Sequence, residues 1–491
     1  MTSLLVNMAI FVFGIFVLGA FLARMYTLPL PPGPSKIPII GNLLDMPSSY
    51  DWLTFAEWGK KWGGIVSISI FSQQIIVLNS VHHAIEILDK KSAVYSDRPI
   101  MQMGGELVGW KNTLVLLPYG NRFRNFRKLF HNAIGSQAAA MRFQPVQEIE
   151  SLHFLKRILE SPRELLAHIR RSTGAVILRI SHGYEVKGEN DPYVTVAGQA
   201  LEQFSLSTAP GGFLVNLVPQ LRYVPAWMPG AGFKKIATSW AQTLNTMVDM
   251  PYEYVKKQIA AGTAEVSFTF QLLESNTTAE EEEDIKWSAG SLYGGGADTT
   301  VAATYAMFLA CALNPKAVQK VQKELDDVIG NTRLPGFADR KNLPYTNAFV
   351  LEVFRWHATV TTAPHATKED NMYEGYFIPK GALIIANIWY MLHDPNVYPD
   401  PFSFKPERFL GPQPQRDPRD ICFGFGRRIC PGRELAEASV FITTVMSLAV
   451  FDITKSVVDG VVVEPKVEQT TGLISHPKPF LCSIAPRSLK L

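Results

Sequence analysis

Ten residues near the C-terminus, Phe423-Gly424-Phe425-Gly426-Arg427-Arg428-Ile429-Cys430-Pro431-Gly432, gather residue types that together could hold one object close to the backbone. A thiolate is a strong, soft metal ligand, so Cys430 suits the iron of a haem. Pro431 fits the first turn of a helix, where a missing N–H costs nothing. Cys430 would then face a helix N-terminus, whose partial positive charge favours thiolate over thiol. Gly426 and Gly432 permit close backbone approach to a flat ligand. Arg428 offers a fork to a carboxylate such as a haem propionate, and Phe423 joins the same cofactor-binding set. A lone cysteine would read as a buried structural thiol; this many constraints in one short stretch do not.

A second group lies upstream, in Gly294-Gly295-Gly296-Ala297-Asp298-Thr299-Thr300. Each glycine costs about 1 kcal/mol relative to Ala inside a helix, so something must offset them. Room for a flat cofactor, dioxygen and a water against the helix would do so. Thr299 lies four residues after Gly295, so its hydroxyl can bond back to that carbonyl or turn to a ligand, and Asp298 is an acid able to pass protons inward. Glu352 and Arg355 sit at i,i+3 on one helix face. That spacing alone says little, because Glu160 and Arg163 share it.

The pattern F-x-x-G-x-R-x-C-x-G at Phe423–Gly432 resembles the haem-thiolate motif of the cytochrome P450 superfamily. Gly295–Thr300 is similar to that family's (A/G)-G-x-(D/E)-T-(T/S) oxygen-activating motif, in the expected order. The resemblance implies heme b with Cys430 as the iron ligand, Asp298 as the proton-delivery acid and Thr299 as the oxygen-activating alcohol. Phe404-Lys405-Pro406-Glu407-Arg408-Phe409 resembles the family's PERF segment, in which Arg408 would join Glu352 and Arg355 as a buried structural triad. Pro364-His365-Ala366 resembles a microsomal pattern whose histidine bonds a haem propionate. Tyr119–Lys128 looks like the family's W-x-x-x-R helix, but Phe123 stands where tryptophan is usual. With the indole donor lost, Arg127, with Arg124, is left to hold the propionate.

What the resemblance implies about activity is a monooxygenase that inserts one oxygen atom from O2 into a lipophilic small molecule, by hydroxylation or epoxidation. The texture of the chain is similar to fungal enzymes of secondary metabolism, and a terpenoid is the expected substrate class. Pocket positions by resemblance are Met101–Thr113, Phe204–Phe213, Leu292-Tyr293, Val360–Thr362 and Gly472–Ile474. Electrons would come from NADPH-cytochrome P450 reductase, because the chain carries no flavin or nicotinamide fingerprint. Arg122, Arg124, Arg127, Lys128, Arg427, Arg428 and Arg433 would cluster on the thiolate side, some for propionates and the rest to steer an acidic donor. A haem-thiolate isomerase or dehydratase that needs no reductase, and a non-catalytic haem protein, are the rival readings; the Asp298–Thr299 pair argues against both.

The elements that must position these groups follow from the rest of the chain. A net charge of +3 is too mild to argue for nucleic acid. The 47% hydrophobic content suits a large core, and four scattered cysteines suit a reducing compartment. Leu4–Ala23 has no charged residue and about the length that crosses a bilayer core of ~30 Å. Arg24 and Lys36 follow it, so the positive-inside rule puts the body in the cytosol. Expected, then, are a single-pass endoplasmic-reticulum membrane anchor at 1–28, a Pro-rich hinge at 29–34, and one catalytic domain at 35–491. The fold class is mainly α with small β-sheets. Helices are expected at Ile285–Leu313, opened by the acidic run Glu280–Asp284, at Asn314–Ile329 and at Tyr345–Trp356. Strands are expected within Gly64–Asn79, at Leu383–Ile388 and in the last forty residues.

Overall fold

The computed structural model describes residues 28–209, 211–274, 278–330 and 332–487. The expected anchor, apart from Leu28, lies outside the described residues. Eleven helices of twelve residues or more are present among those described: α1 (Asp51–Trp62), α2 (Asn121–Ile134), α3 (Gln144–Glu160), α4 (Leu165–His182), α5 (Pro192–Thr208), α6 (Gly232–Ala261), α7 (Ala279–Ala297), α8 (Thr299–Leu313), α9 (Pro315–Val328), α10 (Pro344–Trp356) and α11 (Arg433–Val450). The strands are short: β1 (Ile65–Ile70), β2 (Gln73–Leu78), β3 (Ala363–Ala366), β4 (Asn371–Tyr373), β5 (Tyr376–Ile378), β6 (Leu383–Ala386), β7 (Phe451–Lys455), β8 (Val457–Val458), β9 (Val461–Val462) and β10 (Cys482–Pro486). The largest sheet runs β1-β2-β6-β3, with β2 and β6 parallel and the other pairs antiparallel.

The acidic run opens α7 through a capping box, in which Thr278 and Glu281 satisfy each other's backbone N–H. The one long helix expected from Ile285 to Leu313 is two helices. They part at Asp298, whose φ −126° and ψ −34° leave the helical region. Aspartate competes for backbone bonds and is a poor interior residue, and three glycines just before it weaken the ladder. Beyond the break α8 is buried continuously from Thr300 to Ala312, as a helix apolar on every side must be. It packs against α4, α10, α11 and β7, at the centre of the body. The stretch 279–313 is long and apolar enough to cross a membrane, but 72% of its most apolar window is buried in the protein. It is a core element.

The Pro-rich stretch is stapled down from its first residue. Pro29 O accepts from Phe377 N at 2.7 Å and Pro32 O from Ser67 N at 2.8 Å. Prolines donate no N–H but keep their carbonyls, and here two of those carbonyls tie the segment to β5 and to β1.

Glu352, Arg355 and Arg408 meet in the interior. Arg355 forks onto Glu352 at 2.7 and 2.8 Å, and Arg408 Nε reaches the same carboxylate at 3.1 Å. Lys405 N adds a fourth bond to Glu352 at 2.7 Å. The remaining guanidinium N–H groups donate to main-chain carbonyls. Arg355 serves Leu392, Pro401 and Ser403, and Arg408 serves Pro399, Asp400 and Ser403. Glu160 and Arg163, which share the same spacing, are exposed.

Removing one member of a buried charge set leaves the others uncompensated, a cost of about 3–5 kcal/mol. Glu352→Ala is therefore expected to lower the unfolding free energy read from a urea titration by that amount, and the midpoint with it, or to prevent folding outright, whereas Glu160→Ala changes that free energy by less than about 0.5 kcal/mol. Equal midpoints for the two variants would refute the folding role.

Candidate functional site

The loop Phe423–Gly432 is held by a short bond from Cys430 N to Phe423 O, 2.8 Å, which turns the chain back on itself. Gly424 (φ +78°) and Gly426 (φ +57°) make that turn possible. Gly426 was expected to face a flat ligand, but it faces protein. A Cβ there would sit 2.1 Å from Leu88 O, so the residue serves close loop packing and is not on the cavity wall. Gly424 and Gly432 are the glycines that border the cavity. Phe423 also borders it and packs, tilted, against Phe354 of α10 with ring centres 5.5 Å apart. Pro431 lies just before Gly432, the N-cap of α11, rather than inside its first turn.

Burial pushes the Cys430 thiol up, while the Gly432 amide and the guanidinium groups of Arg127 and Arg433 oppose the rise. Cys422 borders the same cavity, but burial and Asp417 push its thiol far higher. Arg433 and Arg419 act on Cys422 as well, so the groups that set Cys430 apart are the Gly432 amide and Arg127.

Three guanidinium groups reach the cavity beside this loop: Arg428, Arg127 and Arg98. Arg428 donates to Ser96 O and Leu117 O at 2.7 Å each and lies 3.8 Å from the Phe123 ring centre. Arg127 donates to Ile429 O at 2.6 Å. Arg98, which the sequence reading missed, donates to Val115 O and Pro364 O. Burial, with mutual repulsion at Arg428, pushes Arg98 down to about 10 and Arg428 down to about 9. His365, also on the wall, accepts or donates through Nδ1 at Tyr95 O, 2.9 Å; since a carbonyl only accepts, Nδ1 carries the proton. Burial and the nearby Arg98 hold this imidazole neutral, well below its ordinary range. Buried cations satisfied only by neutral carbonyls form an anion site awaiting charge, and the two propionates of a haem fit it. Arg124 does not belong here. It is exposed, bonded to Asn121 and lying over the Tyr119 ring, because it leaves α2 on the solvent side.

The opposite element of the site is the α7–α8 junction. Thr299 Oγ1 donates to Gly295 O at 2.9 Å and borders the cavity. Its three preceding glycines are not equivalent. A Cβ on Gly296 would meet Ile177 of α4 at 2.7 Å, so that residue lets two helices approach, whereas Gly295 has nothing within 4 Å and faces open space. Gly290, one turn back, is likewise closed by Val248 of α6 at 2.9 Å. Asp298 does not border the cavity; its Oδ2 is 2.9 Å from His476 Nε2. His476 carried no motif and was also missed.

Cys430, Thr299, His365 and the guanidinium groups of Arg98, Arg127 and Arg428 surround one cavity of about 760 Å³. Its wall includes Met101, Trp110, Thr113, Phe204, Leu292, Val360, Thr362 and Gly472–Ile474, as expected. Other expected neighbours lie off that wall, residues 102–109 among them. Tyr293 donates its hydroxyl to Tyr193 O at 2.6 Å, Phe213 packs on Trp240 at 5.7 Å, and Thr361 is buried off the wall. Asp51 is the one carboxyl on the wall, and burial raises it to about 6.

A family model described as cytochrome P450 matches residues 31–484. The chain is 53% identical over 464 residues to cytochrome P450 monooxygenase 208 of Postia placenta, covering 94% of this chain and 91% of that protein. It is 44% identical to cytochrome P450 monooxygenase claR of Ampulloclitocybe clavipes, over 98% and 90% of the two chains. It is 41% identical to cytochrome P450 monooxygenase ppsD of Aspergillus oryzae, over 94% and 89%.

If the guanidinium cluster holds propionates, Arg127→Met should loosen the haem while leaving the fold intact, since Arg127 makes a single protein hydrogen bond. A lost charge-assisted bond is worth about 1.5–3 kcal/mol, so transfer of haem to an apomyoglobin acceptor should quicken roughly 10- to 150-fold. An unchanged transfer rate would remove Arg127 from the propionate site. Arg124→Met is expected to leave the rate as it is.

Proposed function

The chain belongs to the cytochrome P450 family, and from that premise we propose that it hydroxylates or epoxidises a lipophilic secondary metabolite, a terpenoid being the favoured class, at the cavity bordered by Cys430 and Thr299. It is a haem-thiolate monooxygenase with heme b as cofactor. When bound, the haem activates dioxygen, and an electron-rich thiolate ligand favours cleavage of the O–O bond.

The observation that carries the proposal is the convergence of a thiol, an alcohol and a set of cations on one cavity. Cys430 is the iron ligand, favoured over Cys422 by the Gly432 amide and by Arg127. Arg98, Arg127, Arg428 and His365 take the propionates. Thr299 holds a proton at Oγ1, bonded to Gly295 O, and turning that hydroxyl to the cavity offers it to a bound oxygen. Asp298, one residue earlier, resupplies it from the outer side of the helix break. The wall beyond the cations is apolar, with scattered hydroxyls from Thr113, Thr208 and Thr362. Such a surface pays for no charge on its ligand, which favours a lipophilic substrate with few polar handles.

Electrons come from NADPH-cytochrome P450 reductase. Of the basic residues expected to steer it, Arg124, Lys128 and Arg427 are exposed, while Arg122 is committed to Asp284 at 2.6 Å. The first three form the docking charge. An anchor within residues 1–28 tethers the catalytic body to the cytosolic face of the endoplasmic reticulum.

Two outcomes test the assignment. Cys430→Ser should abolish the red-shifted Soret band of the reduced carbon monoxide complex, since an alcohol is a poor, rarely deprotonated ligand; persistence of that band would transfer the ligand role to Cys422. Thr299→Ala should keep its haem, because alanine is the better helix former. With reductase and substrate it should still consume NADPH, but the ratio of product to NADPH should fall about tenfold or more, within the range of general acid–base effects, and hydrogen peroxide should rise to match. An unchanged ratio would remove Thr299 from the mechanism.

A further inference from the structure

The pairing of Asp298 with His476 joins two elements with different tasks. Asp298 occupies the break between α7 and α8, next to Thr299. His476 closes the loop 470–476, whose Gly472, Leu473 and Ile474 border the cavity. That loop is braced at several points. Thr470 N donates to His476 O at 2.8 Å, and His476 N donates to Thr470 Oγ1 at 3.0 Å. Ser475 N donates to Thr359 O at 2.8 Å, and His357 Nε2 donates to Ser475 O at 2.9 Å. Thr359 and Val360 belong to the same cavity wall. A carboxylate only accepts, so His476 Nε2 carries the hydrogen that Asp298 Oδ2 receives.

From this geometry we infer that His476 is the positioning residue of Asp298, tying the acid that supplies Thr299 to the loop that contacts substrate. The tie does two things. It holds the carboxylate on the outer side of the helix break, where a freely rotating side chain would sample solvent. It also makes the acid's position depend on the path of residues 470–476, so that the end of the cavity contacted by substrate bears on proton supply. At 18% and 20% side-chain exposure, the two partners are sheltered enough for the bond to persist and open enough to exchange protons with water. His357, kept neutral by burial at about 4, is near enough to feel the charge of His476, and Lys478, two residues along the chain, is committed to Glu468 at 2.9 Å.

The inference rests on the oxygen-activating role given to Asp298 and Thr299, and its test separates the two. The haem-loaded full chain is assayed for O-dealkylation of 7-ethoxycoumarin, driven either by NADPH with reductase or by cumene hydroperoxide. Hydroperoxide delivers its oxygen without the protons that Asp298 would supply. His476→Leu should lower the NADPH-driven rate about tenfold and leave the hydroperoxide-driven rate unchanged; a misshapen pocket would lower both. His476→Gln, which keeps an N–H donor at similar reach, should restore most of the rate. In an Asp298→Asn background, His476→Leu should add no further loss, because the two act as a unit. Additive losses, or equal losses with both oxidants, would overturn the inference. An independent arm needs no turnover. If the pair braces the loop, Asp298→Asn should quicken hydrogen exchange at the Thr470 and His476 amides of the haem-loaded protein about tenfold or more, the size of a lost charge-assisted bond. Unchanged exchange would overturn the tie even if wild-type turnover is normal, and a wild-type chain inactive with both oxidants would count against the proposed function instead.

Discussion

The buried carboxylate of Glu352 is the point on which the cysteine-bearing part of the chain depends. Between Leu392 and α11 the backbone forms only single-turn helices and bends, so its carbonyls have no long ladder to join. Interior backbone acceptors must still be paired. Arg355 and Arg408 take on that task, together bonding the carbonyls of Leu392, Pro399, Asp400, Pro401 and Ser403. Two buried cations would be prohibitive alone, and Glu352 offsets them. A knot of charge thus replaces secondary structure where an irregular path is needed. Phe354, next to Arg355 on α10, then meets Phe423 at the head of the cysteine loop.

The same device recurs at the cavity with a different balance. Arg98 and Arg428 also brace irregular chain through its carbonyls, joining segments near residues 96, 115 and 117 to those near 364 and 428. No carboxylate lies among the groups they bond. Around Glu352 two cations share a carboxylate that the protein supplies; around Cys430 the cations bond only carbonyls, and an anionic ligand would supply the counter-charge. A cofactor that binds the folded state alone stabilises it by mass action, and here it would link the N-terminal and C-terminal parts of the body.

Much of this was legible in the sequence, where the information is local. The helices at 315–328 and 344–356, the capped start of α7 and the bond from Thr299 to Gly295 all follow from spacing along one element. Glu352, Arg355 and Arg408 were legible because motifs mark them. Contacts between distant segments were not. Arg98 carries no pattern beyond its place before Pro99, and His476 meets Asp298 across 178 positions. Arg124 was misplaced because a spacing of three from Arg127 does not settle which way a long side chain leaves the helix. Gly426 was assigned to the ligand because a glycine announces close approach without naming what approaches; there it is protein, and Gly296, although it borders the cavity, also lets Ile177 approach.

The glycines of α7 also set where this cavity can change over generations. A methyl group at Gly290 or Gly296 would meet the side chain of Val248 on α6 or of Ile177 on α4, which would have to yield. Gly295 lies between those constraints and has free space before it. That room is where a flat cofactor would lie, so a side chain gained at Gly295 would compete with the cofactor, whereas Gly294, whose Cβ would make only ordinary contacts with Met247 and Leu201, can gain a methyl group while the helix stays in place. A lineage built on this scaffold could thus reshape the cavity at Gly294 by a single codon, while the same change at Gly295 would bear on the cofactor itself.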